Sequence, residues 1–375
     1  MKSNYDILGN HIRLVDSRNK DLITPQVLGI NIAKYFMPSV ANVIGTDLSR
    51  YKLLSKGKFA CNPMHVGRDE RLPVALYSED KPAIVSPAYF VFEIVDTSLL
   101  NEYYLMMWFR RPEFDRTCWL KTDGSVRGGI SWDDICRLEL PVPPIEKQLE
   151  IVNRYKAITD RIALKQKIND NLIATGLAIF KEKFSSPNNG LDETPLYDLA
   201  QYINGTSFSE DEYSPNGLPI IKIAELKDGI TSATQYFVGS KDPKYLIHDS
   251  DILFSWSGNP DTSIDAFIWS HGDGILNQHT FRMVPRYGVA FTYFMLKFCK
   301  PEFVKAAMGK QTTGLGHVTV KDLKRLTLPF SKETAFSFNQ MAMPLYEQMF
   351  KNLKEINALI ELRNQIERML SILDN

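Results

Sequence analysis

The sequence predicts an α+β fold in which two mixed α/β globular domains are separated by two long helices packed as an antiparallel coiled coil, with an internal pseudo-twofold repeat. Three observations lead to this prediction. A long run without proline follows Pro144, segments from the first half recur in the second, and a second apolar stripe runs to the end of the chain. With 375 residues, the chain is long enough for two domains with separate cores.

Residues 1–143 are predicted to form the first mixed domain. The segment Lys52–Met64 is typical of a strand that enters a turn, and Ala83–Val95 is rich in β-branched and aromatic residues, as a buried strand would be. Asn101–Phe109 is apolar on every side, which predicts a buried helix that ends near Pro112.

Residues 144–186 are predicted to form one long spacer helix. Pro143 and Pro144 can precede or open a helix but not lie inside one, and the next proline is Pro187. At 1.5 Å per residue the helix would be roughly 60 Å long. Polar residues at Lys165 and Asn169 interrupt its apolar stripe, which is formed by Ile151, Tyr155, Ile158, Ile162, Leu172 and Ile179.

Residues 187–330 are predicted to form a second mixed domain that repeats the first. The sequence RPEF at Arg111–Phe114 recurs as KPEF at Lys300–Phe303, a shift of 189 positions. GGISWDDICRLELP, which ends at Pro141, recurs as LGHVTVKDLKRLTLP, which ends at Pro329, a shift of 188. Two matches at nearly the same offset indicate an internal duplication.

The duplication predicts a second long helix over residues 331–375 that pairs with the first. The apolar pattern from Ala342 onward supports this helix. Its stripe consists of Met349, Leu353, Ile356, Leu359, Leu362, Ile366, Met369 and Leu373. An antiparallel pairing would place one globular domain at each end of the helices.

Composition limits the classes of function. The 44 basic and 44 acidic residues give a formal charge of zero, which argues against coating nucleic acid through bulk charge. No apolar run reaches the length of a membrane span and the first residues lack a signal-peptide core, so we expect a cytoplasmic protein. The four cysteines lack CxxC spacing and are expected to be ordinary buried or half-buried thiols, without zinc or disulfides.

No catalytic pattern is convincing. An adenine methyltransferase needs an NPPY-like tetrad and a glycine-rich cofactor loop, but Asn62–His65 (NPMH) matches half of the first and nothing matches the second. Asp261 and Asp265 lack the following Glu-x-Lys of a metal-dependent nuclease. There is no P-loop, the histidines have no metal-ligand spacing, and His279 is interpreted as part of a polar loop end. We therefore expect no catalytic or metal site.

The candidate functional residues are loop side chains that can donate to phosphates or match base edges. Two loops, TDGSVRGGIS and KQTTGLGHVT, occupy equivalent places in the repeat but differ in sequence, as expected for two readers of different DNA sequences. The candidates are Arg68, Arg71, Arg110, Arg111, Lys121, Ser125 and Arg127 in the first domain, and Asn259, Asn277, Gln278, Lys310, Gln311, Thr312, Thr313 and His317 in the second.

The chain resembles the specificity (S) subunit of type I restriction–modification systems. Three segments carry the resemblance: KGKFACNPMHVGR at Lys56–Arg68, IVSPAYFVFEI at Ile84–Ile94, and ISWDDICRLELPVPPIEKQLEIV at Ile130–Val152. The last is similar to the family's junction, where PPxxxQ leads into the helix that follows each recognition domain. The second junction, SKETAFSFNQ at Ser331–Gln340, lacks the double proline.

The resemblance implies a non-catalytic subunit with two target-recognition domains, each of which reads half of a bipartite double-stranded DNA site. The paired helices would set the spacing and dock two modification subunits, which hold S-adenosylmethionine and methylate adenine; restriction subunits can join the complex. We expect Lys165 and Asn169 to contact the modification subunit. The alternatives are a coiled-coil adaptor without DNA recognition and a self-contained DNA methylase or nuclease.

Overall fold

The computed structural model describes residues 5–40, 45–64, 66–122, 128–185, 191–310 and 315–372. The chain divides into two compact units: unit 1 contains residues 1–159 and 361–375, and unit 2 contains residues 160–360. Each unit combines helices with small sheets, as the sequence predicts. None of the helices in the described ranges is long and apolar enough to cross a membrane.

The described residues of unit 1 form ten strands and four short α-helices before the first long helix. The strands are β1 (Tyr5–Ile7), β2 (Ile12–Leu14), β3 (Val27–Ile30), β4 (Phe36–Pro38), β5 (Lys52–Leu54), β6 (Phe59–Cys61), β7 (Val74–Leu76), β8 (Ala83–Val85), β9 (Phe90–Ile94) and β10 (Glu139–Pro141). The helices are α1 (Val66–Asp69), α2 (Glu102–Phe109), α3 (Pro112–Leu120) and α4 (Trp132–Cys136). The predicted strand over Ala83–Val95 is therefore two strands, because a turn separates β8 from β9.

The apolar segment before Pro112 forms a buried helix, as predicted. Asn101 caps α2, since its side chain accepts from the backbone N–H groups of Tyr103 and Tyr104. Pro112 ends this segment and also opens α3, where its missing N–H would have no partner in any case. The core of unit 1 forms where α2 packs against the aromatic faces of β6 and β9.

In unit 2, the part of the chain that the structure describes forms thirteen strands and six short α-helices. The strands are β11 (Asp192–Pro195), β12 (Ala200–Asn204), β13 (Tyr213–Ser214), β14 (Leu218–Ile221), β15 (Tyr236–Phe237), β16 (Leu246–Ile247), β17 (Ile252–Ser255), β18 (Ser257–Gly258), β19 (Asp265–Ile268), β20 (Gly274–Leu276), β21 (Thr280–Pro285), β22 (Gly316–His317) and β23 (Thr327–Phe330). The helices are α6 (Leu196–Leu199), α7 (Ile223–Asp228), α8 (Pro260–Ser263), α9 (Val289–Phe298), α10 (Lys300–Met308) and α11 (Val320–Arg325).

The two units have equivalent strand orders. The order β2-β9-β6-β7 in unit 1 corresponds to β12-β21-β17-β19 in unit 2, and β4-β3-β8-β5 corresponds to the last four strands of β13-β15-β14-β20-β16, to which unit 2 adds the edge strand β13. In each second sheet the two central strands, β3 and β8 or β14 and β20, are parallel. A terminal antiparallel pair also recurs, as β1 with β10 and as β11 with β23.

Two long helices follow the strand-rich segments. The first, α5, spans Ile145–Phe184, in agreement with the prediction; its residues through Thr159 belong to unit 1 and the rest to unit 2. The second, α12, spans Lys332–Ile372 and begins before the apolar pattern at Ala342. It contains Pro344, which costs one helical hydrogen bond. The helix continues because Phe338, Ala342 and neighbouring residues are buried in the core of unit 2.

The two helices run antiparallel within each unit. In unit 2, Arg161 forms an ion pair with Glu355, and Phe180 packs edge-on against Phe338 with ring centroids 5.0 Å apart. In unit 1, the Tyr155 hydroxyl donates to Glu367 at 2.9 Å. The predicted stripe of α12 is wrong at Leu362 and Met369, which are 45% and 64% exposed. Met349 and Ile356 are buried as predicted, but near the end of α12 the packed face lies one position further along, so Leu370 is buried instead of Met369.

The polar interruption of α5 continues its buried face. Asn352 is fully buried and its Nδ2 donates to Oδ1 of Asn169 at 2.8 Å. Lys165 donates to Oδ1 of Asn352 at 3.1 Å and also forms an ion pair with Glu355 at 2.7 Å. Gln348 supplies a further donor to Asn352 Oδ1 at 2.9 Å. Lys165 and Asn169 thus form contacts inside unit 2.

Candidate nucleic-acid interface

In unit 2, exposed polar side chains collect where β17 leaves the core. All four residues of β17 are buried, and the chain then turns through Trp256 into the short strand β18. The Trp256 indole N–H donates to Asn204 Oδ1 at 3.0 Å, and its ring lies 5.7 Å from that of His279. Strand β18 pairs with β22, which places the exposed His317 opposite Ser257. We call Asn204, Trp256, Gln278, His279 and His317 the unit 2 polar surface.

The turn between β20 and β21 presents Gln278 and His279 to solvent. Asn277 holds the turn: its backbone N–H donates to Ile221 O at 3.0 Å and its carbonyl accepts from Thr280 N at 3.2 Å. Gly205 passes so close that an added Cβ would lie 2.2 Å from Asn277 O. Asn277 itself is only 9% exposed, so of the predicted pair Gln278 is the residue that can reach a ligand.

Asn259 has a structural role in the same region. Its side chain accepts from the backbone N–H groups of Asp261 and Thr262 at 3.0 and 3.3 Å and so caps α8. The residue is exposed, and the amide nitrogen of a capping asparagine keeps its donor capacity.

Lys310 is held by the cap of α11. Its ammonium forms an ion pair with Asp322 and donates to Thr319 Oγ1 at 3.2 Å. Burial alone would raise the pKa of Asp322, but hydrogen bonds from Lys310 and Thr319 lower it to about 2. This pair ties the end of α10 to α11, next to the unit 2 polar surface at β22.

In unit 1, four of the predicted basic residues are exposed. Arg68 lies in α1 and is paired with Asp69 through two hydrogen bonds of 2.7 and 2.9 Å. Arg71 follows α1, Arg110 follows α2, and Lys121 follows α3. Each therefore lies at the end of a short helix, where a loop can present it to a ligand.

A cleft of about 710 Å³ brings Arg71 and Arg110 together. Arg116 and Trp119 of α3 also line it. We call this the unit 1 cleft. It lies next to Lys34, which is 4% exposed. Burial lowers the pKa of Lys34, against the opposing effect of a nearby carboxylate.

Arg111 is located in the core of unit 1. It is 5% exposed, its Nη1 donates to Leu370 O at 3.1 Å, and its guanidinium lies over the Trp108 ring at 5.4 Å. The structure therefore places it in the packing of α12 rather than at the surface. The remaining predicted residues, Ser125, Arg127, Gln311, Thr312 and Thr313, lie outside the described residues.

Sequence reasoning missed several residues at these two places. Asn204, Trp256, Arg116 and Trp119 were not singled out as site residues, and Lys34 gave no signal at all. For Trp256 a signal existed, since a tryptophan between the run Ile-Leu-Phe-Ser and the turn-forming Ser-Gly-Asn-Pro is placed at a strand end. For Lys34 none existed, because its burial depends on contacts with residues more than seventy positions away.

The catalytic alternatives find no geometric support. In the described ranges, no group of three or more His, Cys, Asp or Glu residues is placed to hold a metal ion. Asp265 is held by Lys297 and Lys300 at 2.7 and 2.6 Å. The side chain of Asn62 accepts from Met64 N at 3.2 Å, which makes Asn62–Met64 a turn. All four cysteines are free, and burial raises the pKa of Cys118 and Cys299 to about 12.

The fold and these two surfaces define a two-unit α+β protein whose exposed polar loops suit nucleic acid. Residues 188–368 match the family described as "Type I restriction modification DNA specificity domain". The type I restriction enzyme MjaIX specificity subunit of Methanocaldococcus jannaschii is 23% identical over 279 residues, which cover 65% of this chain and 62% of that relative. Both matches are to specificity subunits of type I restriction–modification systems, and the family match lies in residues 188–368.

A solved structure shares the fold over nearly the whole chain. The S subunit of the type I restriction–modification system from M. genitalium superposes with a TM-score of 0.56 at 15% sequence identity. The superposition covers 98% of this chain and 95% of that one. The fold predicted from the sequence is thus confirmed for both units and both long helices.

Proposed function

We propose that this chain is the DNA-specificity subunit of a type I restriction–modification complex. The observation that carries the proposal is the family match over residues 188–368, in a chain whose other unit has the same strand order. Equivalent strand orders support an internal duplication, and a duplicated scaffold with different loops suits two readers of different DNA sequences. Each unit accordingly reads one half of a bipartite site.

The chain has no catalytic role of its own in this proposal. Two modification subunits dock on the paired helices, hold S-adenosylmethionine and methylate adenine. Restriction subunits join this complex to form the assembly that cuts DNA. The helices set the number of base pairs between the half-sites. A formal charge of zero is compatible with this arrangement, because a bound modification subunit can supply cationic residues around the DNA.

The unit 2 polar surface supplies the contacts to one half-site. Gln278 can pair with adenine through its amide, and histidine or asparagine side chains can donate to base edges or phosphates. In unit 1, Arg68, Arg71, Arg110 and Lys121 are the exposed cations at loop ends. Arg111 is left out of the proposed contacts because it is buried. Ser125, Arg127 and residues 311–313 stay predictions.

A pair of substitutions tests the assignment of the unit 2 polar surface. Changing Gln278 and His317 to Ala should relax base preference in one half-site, since a good bidentate base contact contributes about 1–3 kcal/mol of discrimination. The measurement is methylome sequencing of a host that expresses the chain with its modification subunit. The matched control is Gln201→Ala, an exposed glutamine on β12. Unchanged preference in both half-sites would rule out this surface as a reader.

A further inference from the structure

The unit 1 cleft contains several arginines that are not used in ion pairs within the part of the protein that the structure describes. Its walls carry three arginines, Arg71, Arg110 and Arg116, all exposed. Among the described residues, none of the three forms an ion pair with a carboxylate. The other basic side chains at the cleft are paired, since Lys34 is bound to Asp115 and the neighbouring Arg68 is bound to Asp69. The lining also contains the carboxylates Asp69, Glu70 and Asp115, of which Asp69 and Asp115 are bound to Arg68 and Lys34. The three arginines are therefore the cations of the cleft that could pair with a bound anion.

The floor of the cleft is rigid. Lys34 donates to Asp115 Oδ1 at 2.7 Å and to the carbonyl of Phe109, and the same Asp115 oxygen accepts from Leu72 N at 3.0 Å. The Lys34 ammonium also lies 4.7 Å from the centre of the Phe114 ring. A buried ion pair with these additional hydrogen bonds fixes the positions of α3 and of the segment before β4.

The backbone is strained at two places that line the cleft. Lys34 and Glu70 have φ angles of +65° and +52°, and they are two of the four non-glycine residues with positive φ in the described ranges. Such conformations cost free energy for residues with a Cβ, and they concentrate at ligand sites. Glu70 directly precedes Arg71, so one of these two positions adjoins an arginine that lines the cleft.

One face of α3 forms a wall with both charge and an aromatic surface. Pro112, Arg116 and Trp119 are spaced four and three residues apart and so lie on the same side of the helix. Trp119 is 38% exposed. A guanidinium and an exposed indole one turn apart match a ligand that carries an anionic group next to a planar ring.

We propose that the unit 1 cleft binds a nucleotide, with the phosphate on Arg71, Arg110 and Arg116 and the base against Trp119. The volume of about 710 Å³ is in the range of small-ligand sites. The nucleotide is either free or part of a DNA strand. In the second case the inference rests on the proposed function and deepens it, because it assigns these arginines to phosphate and not to base recognition.

The test for a free nucleotide uses the full chain and deoxyadenosine 5′-monophosphate, followed by calorimetry and tryptophan fluorescence. Changing Arg71 and Arg116 to Gln should weaken binding by about tenfold or more, since hydrogen bonds to charged groups are the strong ones. The control changes Arg137 and Arg154 to Gln, two exposed arginines of unit 1 outside the cleft. Trp119→Phe should abolish the change in tryptophan fluorescence on binding. The heat of binding measured by calorimetry should remain, because the arginines still bind the phosphate.

The test for DNA uses the complex with the modification subunit and the salt dependence of binding. Loss of two phosphate contacts should lower the slope of log affinity against log salt by about 1.8, with the preferred sequence unchanged. The proposal is overturned if neither nucleotide affinity nor the salt slope differs between the Arg71 and Arg116 variant and its control. It is also overturned if deoxyadenosine or a poly-glutamate peptide binds better than the nucleotide. Methylation at the same sites by that variant would leave the proposed function standing in either case.

Discussion

At the scale of single residues, Gly176 determines how closely α5 packs in unit 2. An added Cβ would lie 2.1 Å from a ring carbon of Phe294, which is fully buried. Gly176→Ala should therefore lower the free energy of unfolding by about 1–3 kcal/mol, because a buried ring would have to move. Urea denaturation measures the effect. Thr175→Ala, at the exposed neighbouring position, is the control, and equal stability of both variants would contradict this packing.

The carboxylate of Asp322 makes unit 2 sensitive to acid. Its folded-state pKa of about 2 lies below the ordinary value of 3.8, so the ionised form stabilises the fold. The contribution, about 2 kcal/mol, is fully present above about pH 4 and is lost as the pH falls towards 2. Asp322→Asn should thus destabilise the chain near pH 7 and make little difference near pH 2.

Thermal denaturation across this pH range checks the prediction for Asp322. Asp261→Asn removes an exposed carboxylate from the same unit and serves as the control. A stability difference between wild type and Asp322→Asn that stays constant from pH 7 to pH 2 would show that the Lys310–Asp322 pair does not contribute as described.

At the scale of elements, the buried amides of α5 and α12 set the register of the two helices. Asn352→Leu alone would leave Asn169 buried without its amide partner, at a cost of about 1–3 kcal/mol. Changing both Asn169 and Asn352 to Leu should restore stability but loosen the register, because polar pairs in helix interfaces specify alignment. Asn169 and Asn352 both belong to unit 2, so the change in register is expected within that unit.

Cysteine crosslinking measures that register. Arg161 and Glu355 form an ion pair in the native alignment, so Arg161→Cys with Glu355→Cys should crosslink efficiently in the parent chain. The double Leu variant should crosslink less well at the same positions. Equal crosslinking in both backgrounds would mean that apolar packing alone sets the alignment.

The elements differ in how far the sequence could predict them. Helix α5 was predictable to within two residues of its ends, because prolines bound it and its apolar periodicity is long. The start of α12 was predictable from the internal repeat but not from the local apolar pattern, since Pro344 is tolerated only because Phe338 and Ala342 are packed in a core that local sequence does not reveal. The buried face of α12 was predicted correctly at Met349 and Ile356 and wrongly at Leu362 and Met369, because several apolar stripes were available and tertiary contacts select one.

The candidate site was less predictable than the fold. Residue type pointed to Arg71, Arg110, Gln278 and His317, all of which are exposed. It could not distinguish Arg111 from Arg110, although one is buried against α12 and the other lines the unit 1 cleft. Burial of a charged side chain depends on its distant partners, and these follow from the tertiary fold.

At the scale of the whole molecule, the proposed role of the long helices as a spacer is testable by changing their length. Removal of one heptad between Ile158 and Ile179 of α5, together with the facing heptad of α12, shortens the helices by roughly 10 Å, or about three base pairs of DNA. The methylated motif should keep both half-sites and lose about three base pairs of spacer. An unchanged spacer would contradict the role of the helices.

In the proposed complex, each unit reads one half of a bipartite DNA site for a separate modification subunit. Methylome sequencing tests it most directly, in a host that carries the modification subunit with either the wild-type chain or a chain whose unit 2 loops, including Gln278 and His317, are exchanged. We expect adenine methylation at a two-part motif, of which the exchange alters only one part. Methylation that is independent of this chain, or an exchange that alters both parts, would contradict it.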